Sequence, residues 1–364
     1  MSNTFNRRSF LRRSGLTVAG LAAVGGASGL LAACGSDDDD SSSSGSSGGS
    51  GSKDFGTLDY QLSWIKNVEF AGQYIADTEG YYKDVGFSGV NLKAGGPNVQ
   101  QDSVVASKKA FLGISAPDIT GSAILKGADI VAVGALFQKN PFAIMSLADN
   151  PIPDPEAMKG KKIGVQAVNE PVWNAFLKAA KIDPADVTKV PAQFDPQPLV
   201  AGEVDGWFSF FTNEPNLLRM QGEEVEVFLL NDHDYPLVSQ ITIVHKDTLE
   251  NESEKLKAAM IGDIKGWKDS LKDPKAGAEL AANKYGKTNN LDVEEQVLES
   301  KDQNTLILTD DTKANGIFTM TDAILDETMA TLGIAGIPVK AEQLFDLTLI
   351  NEIYKENPDL KAGL

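Results

Sequence analysis

Residues 111–136 read FLGISAPDITGSAILKGADIVAVGAL. The first four are small or apolar, as in a buried strand. Residues 118–126 follow Pro117 with helical spacing, and 130–136 form an unbroken apolar run. A strand, a helix and a second strand in so short a span make one βαβ unit. Working outward, the same alternation continues in both directions. Upstream, 58–64 reads as a strand and 68–81 as a helix, followed by a short strand at 90–92, the turn Gly95-Gly96-Pro97 and a helix from Asn98. Downstream, the proline-rich stretch 151–155 marks a boundary. Strands are expected at 162–166, 205–211, 225–230 and 241–245, with a helix at 171–181 led by Pro171. From about Leu249 the pattern is mainly helical, and no fixed-period repeat is present. The expected class is α/β: open parallel sheets with helices on both faces, in two units, with later helices as cladding.

Composition removes several functions. The 364-residue chain carries a net charge of −18, whereas a nucleic-acid binder needs a basic face. One cysteine and two histidines leave no disulfide, no thiolate cluster and little for an imidazole metal site. No cofactor is expected.

The N-terminus is different in kind. Residues 1–33 contain Arg7, Arg8, Arg12 and Arg13, no acid, and an uncharged Gly/Ala/Leu/Val run from Ser14 to Ala33. This is the layout of a secretory signal, and Arg7-Arg8-Ser9-Phe10-Leu11-Arg12 resembles a twin-arginine export motif. Leu31-Ala32-Ala33-Cys34 resembles a lipobox, which implies that Cys34 is acylated and becomes the mature N-terminus. Residues 35–52 are only Gly, Ser and four Asp. Such a segment buries nothing and reads as a tether with a reach of roughly 20–25 Å. Removing 1–33 leaves a charge of −22, of which the globular part from Lys53 holds −18. That acidity disfavours adhesion to anionic lipid, so the membrane contact is assigned to the lipid on Cys34, at the outer face of the cytoplasmic membrane.

Several runs carry a family resemblance. Trp64, then Phe70-Ala71-Gly72-Gln73-Tyr74-Ile75-Ala76 and Gly80-Tyr81-Tyr82-Lys83-Asp84-Val85-Gly86-Phe87, resemble the opening of type-II solute-binding proteins. Residues 140–146, 160–166 and Asp205-Gly206-Trp207-Phe208 through Thr212-Asn213-Glu214-Pro215 agree with it. The resemblance is nearest to thiamine-pyrimidine-precursor and riboflavin binders, with sulfonate and nitrate binders more distant. It implies a two-lobed type-II periplasmic-binding-protein fold, a two-strand hinge, a small aromatic heterocyclic ligand and an ABC permease as partner. The implied lobes are 53–141 plus 244–364, and 142–243, with crossings near 142–147 and 238–246. A monomer is expected. The resemblance favours a thiamine pyrimidine precursor as cargo, with riboflavin, or a sulfonate or nitrate, as the alternatives.

In open α/β sheets ligands lie beyond the carboxyl ends of the strands. The residues just past each expected strand are therefore the candidates. The first unit supplies Trp64, Asn67, Phe70, Ser115, Asp118 and Gln138; the second supplies Gln166, Asn169, Glu170, Trp173, Phe210 and Glu214, with Tyr235 in the loop before the return. Trp64, Trp173, Phe210 and Tyr235 suit stacking on a flat ring. Gln, Asn and Ser offer donors and acceptors to its edge, and Glu170 or Asp118 accepts from an amino group. Each has a plainer reading: Trp64 and Trp173 as core, Asn67 as a helix cap. Anion recognition would favour arginines, and the globular part has only Arg219.

Pyrimidine synthases of the same fold are the nearest enzymatic alternative. They depend on a cysteine-rich motif, a Schiff-base lysine and a sacrificial histidine. No cysteine remains after Cys34, His233 and His245 have no nucleophile beside them in sequence, and no GxSxG, P-loop or HExxH is present. An enzyme is not expected.

Overall fold

The computed structural model describes residues 53–363. The expectations for the signal segment 1–33, Cys34 and the tether 35–52 fall outside them. Among the described residues no helix is long and apolar enough to cross a membrane.

Ten strands form two five-stranded sheets. The first contains β1 (Thr57–Gln61), β2 (Gly89–Lys93), β3 (Leu112–Ser115), β4 (Ile130–Phe137) and β10 (Ser239–His245), in the order β2-β1-β3-β10-β4. The second contains β5 (Phe142–Leu147), β6 (Lys162–Gln166), β7 (Thr188–Ala192), β8 (Gly206–Phe210) and β9 (Val225–Leu229), in the order β7-β6-β8-β5-β9.

The parallel expectation needs correction in both sheets. β1 pairs in parallel with β2 and β3, but β10 inserts antiparallel between β3 and β4. In the second sheet β6 runs parallel to β7 and β8, while β5 lies antiparallel between β8 and β9. The reversed strand in each sheet is the one that follows a crossing from the other sheet. The chain enters at the cleft end and must run away from it. All of β10 pairs in the first sheet, so 239–243, assigned above to the second lobe, belong with the first. The return crossing is 230–238.

Burial explains the apolar runs. β4 is buried along its whole length, as expected of a strand covered on both faces. On one face of the first sheet the helix Ala71–Thr78 crosses Ser253–Lys272 at very short range. A Cβ on Gly72 would lie 2.3 Å from the Trp267 ring, and one on Gly266 would lie 2.0 Å from the Gly72 carbonyl oxygen. Trp267 is fully buried there. A first apolar core, with Leu58, Tyr60, Phe70 and Trp267, lies on the first sheet; a second runs continuously from Ile119, Ile130 and Ile241 to Ile144, Phe176 and Phe208 and is shared by both sheets.

Candidate functional site

The cleft between the sheets is built from strand ends and the turns that follow them. Past β1, Ser63 and Trp64 are held by the Gly95-Gly96 turn: Gly95 N–H donates to the Trp64 carbonyl at 2.8 Å, and a Cβ at Gly95 would meet the Ser63 backbone at 2.4 Å. Glu69 follows on the short 3-10 turn Val68–Phe70. Ser115 and Ala116 end β3, and Gln101 comes from the helix Gln101–Ala106. The second sheet contributes Asn169 after β6 and Phe210, Asn213 and Glu214 after β8. The reversed strands contribute their beginnings, Phe142 of β5 and Ser239 and Gln240 of β10. The cavity these residues enclose is about 50 Å3, room for water but not for a heterocycle, so a ligand enters only when the sheets part.

Each sheet brings aromatic and acidic groups to the cleft. Phe142 and Phe210 of the second sheet meet edge to face with centroids 4.6 Å apart, and Trp64 of the first is half-buried against its core. Glu69 accepts from Gln240 Nε2 and from Ser63 Oγ at 3.4 Å. Glu214 accepts the Phe210 N–H at 3.0 Å. Burial pushes the Glu69 carboxyl up to about 8 and Glu214 to about 7, outweighing the hydrogen bonds that favour their charged forms. Behind them, the helix Val293–Ile307 holds Glu295 and Glu299. Burial raises both carboxyls, and at Glu299 the neighbouring Glu295, Glu69 and Glu214 add to the effect. Asn67 Nδ2 and Gln296 Nε2 each donate to Glu299 at 2.9 Å.

Of the sequence candidates, Trp64, Ser115, Asn169, Phe210 and Glu214 line this cleft. The others lie elsewhere. Phe70 is fully buried in the first core, and Asn67 is turned inward to Glu299 rather than capping a helix. Asp118 is fully buried and accepts from Tyr235 Oη at 2.7 Å, so that pair ties the return crossing to the first unit. Gln138 donates to the carbonyls of Ala135 and Thr319. Gln166 donates to the Phe208 carbonyl and accepts from Asn169, which it positions. Trp173 packs edge-on against Phe208 with centroids 6.0 Å apart, and Glu170 pairs with Lys189 on the surface. Glu69, Gln101, Phe142, Ser239 and Gln240 were not on the sequence list.

His233 packs on Phe228 at 5.1 Å, and His245 accepts the Asp247 N–H as a helix cap. Among the described residues no group of three or more His, Cys, Asp or Glu could hold a metal ion.

Residues 67–277, more than half the chain and most of the cleft lining, match the model of the family described as NMT1/THI5 like. The chain belongs to the NMT1/THI5-like family. A curated relative is the riboflavin-binding protein RibY of Chloroflexus aurantiacus, 24% identical over 299 residues that cover 78% of this chain and 83% of RibY. Two solved structures share the fold. The periplasmic aliphatic sulphonate binding protein SsuA of Escherichia coli superposes with a TM-score of 0.59 at 16% identity, covering 80% of this chain and 92% of SsuA. The periplasmic nitrate-binding protein NrtA of Synechocystis PCC 6803 gives 0.58 at 12% identity, covering 83% and 90%. The two-lobed fold of this NMT1/THI5-like chain is therefore that of periplasmic binding proteins.

Proposed function

We propose that this chain is the solute-binding component of an ABC importer and captures a small aromatic heterocycle between its two sheets. The observation that carries the reading is the cleft lining: aromatic Trp64, Phe142 and Phe210 are set among carboxylates and amides, where two crossings, 138–141 and 230–238, join the sheets. Closure about those crossings traps the ligand. The export signal and Cys34 lipid place the monomeric receptor outside the cytoplasmic membrane, where it delivers cargo to a permease. A thiamine pyrimidine precursor is the cargo that the family resemblance favours. Riboflavin is the second reading, supported by the similarity to RibY. Sulfonate and nitrate fit poorly, because no Lys, Arg or His lines the cleft. The same lining holds no lysine, histidine or cysteine for catalysis, which favours a receptor over a synthase.

A thermal-shift screen of pyrimidine precursors, thiamine, riboflavin, nucleobases, alkanesulfonates and nitrate tests this. A heterocycle is expected to raise the melting temperature saturably. Stabilisation by sulfonate or nitrate alone contradicts it.

A further inference from the structure

Two amide oxygens in the cleft lining are left without hydrogen-bond partners. Ser115 Oγ donates its only proton to Asp102 at 2.7 Å, so it accepts from Gln101 Nε2 at 3.3 Å. Asp102 is fixed as an acceptor a second time by the Thr120 hydroxyl at 2.6 Å. This chain orients the Gln101 amide and leaves its carbonyl oxygen without a partner. Gln240 is oriented likewise by donating to Glu69, and its oxygen is also unpartnered. These side chains are 1% and 4% exposed, and both line the cleft. Gln240 holds φ at 49°, the left-handed region that non-glycine residues rarely adopt. Strained backbone of this kind collects at ligand sites.

Two buried carboxyls, one after β1 and one after β8, face the same space. Among titratable groups, Glu214 acts on Glu69, and Glu295 on the helix Val293–Ile307 acts on Glu214. Glu299 on that helix and Tyr74 on Ala71–Thr78 complete the cluster, and Asp292 acts on Glu295. None is a cation. With carboxyls raised to about 8 and about 7, Glu69 is mostly and Glu214 about half protonated near neutral pH without a ligand.

We propose that the cleft selects a heterocycle bearing a positively charged nitrogen, seated between Glu69 and Glu214 with its N–H groups on the oxygens of Gln101 and Gln240, and that capture releases protons to solvent. The proposal rests on the reading of this cleft as the ligand site. The balance is simple: the carboxylic O–H bond breaks, its electron pair stays on the carboxylate facing the ligand, and the proton passes to buffer. For a ligand whose charge is fixed, affinity rises with pH by up to about tenfold per unit for each proton released.

Isothermal titration calorimetry of the purified full chain between pH 6 and pH 8, in buffers of different ionisation enthalpy, reads both quantities. The probes are thiamine (a fixed cation), riboflavin (neutral) and ethanesulfonate (an anion). The expected result is tighter thiamine binding at pH 8 than at pH 6, with net proton release near pH 6.5. Glu69→Gln and Glu214→Gln, checked for folding by thermal melting, should each reduce the proton release and weaken thiamine at least tenfold. Riboflavin binding without thiamine binding overturns this inference and leaves the receptor reading standing, as does thiamine binding with no proton release. Binding of ethanesulfonate alone, or of no probe, overturns both. The wild-type titrations decide the question even if a variant fails to fold.

Discussion

Trp64 is the candidate whose role separates most cleanly from the core, because it is half-buried at the cleft while Phe70, Trp173 and Tyr235 are buried. Ring stacking contributes roughly 0.5–1.5 kcal/mol beyond area burial. Trp64→Ala should therefore weaken heterocycle binding by about tenfold or more with the fold retained at a modestly lower melting temperature, as read by calorimetry and thermal melting. Equal affinity would remove Trp64 from the site. Tyr235→Phe should do the reverse. It deletes the donor to buried Asp118 and should cost about 1–3 kcal/mol of stability by urea denaturation, with ligand affinity intact. Which side chains reach the cleft was only partly legible in sequence. The rule of looking past strand ends found Trp64, Ser115, Asn169, Phe210 and Glu214. It missed Phe142, Ser239 and Gln240 because β5 and β10 are reversed and present their beginnings to the cleft. Strand direction depends on partners about a hundred residues away, and no local pattern encodes it.

At the scale of elements, the tightest constraint is the crossing of Ala71–Thr78 with Ser253–Lys272. Gly266→Ala drives a methyl into the Gly72 carbonyl, with 2.0 Å available. The backbones must separate, at a cost of about 1–3 kcal/mol or more. Gly89→Ala, where nothing lies within 4 Å, should stay within about 0.5 kcal/mol of the parent. Urea denaturation of the two variants compares them directly, and equal effects would mean that the helices do not pack this closely. Apolar strands such as β4 and β6 were legible to within a residue because their burial is written in their composition. β7 was not: Thr188–Ala192 contains two polar residues and Pro191, and only Ala192 is buried. A proline-bearing edge strand carries little pattern to read.

At the scale of the whole molecule, two groups of acids stand apart among the described residues. Asp59, Asp247 and Glu254 pair with surface lysines that hold their carboxyls low. Asp102 and Asp118 are raised by burial to about 6, Asp263 and Glu214 to about 7, and Glu69 to about 8. A folded-state value above the unfolded one means that folding takes up protons. Stability from these five groups is complete below about pH 4 and is lost as pH rises through 6 to 8. Melting followed by scanning fluorimetry should fall by several degrees from pH 5 to pH 8, and a rise would contradict the burial of these carboxyls. The net charge of −18 signalled none of this, since composition does not say which acids are inside.

The central claim is that a heterocycle sits between the two sheets. A crystal structure with the most stabilising heterocycle from the thermal-shift screen tests it most directly. The ring should stack against Trp64 and the Phe142–Phe210 pair, with its polar edge toward Glu69, Glu214, Gln101 and Gln240. A ligand bound outside this cleft, or one whose acceptor edge faces the glutamates, would contradict the account.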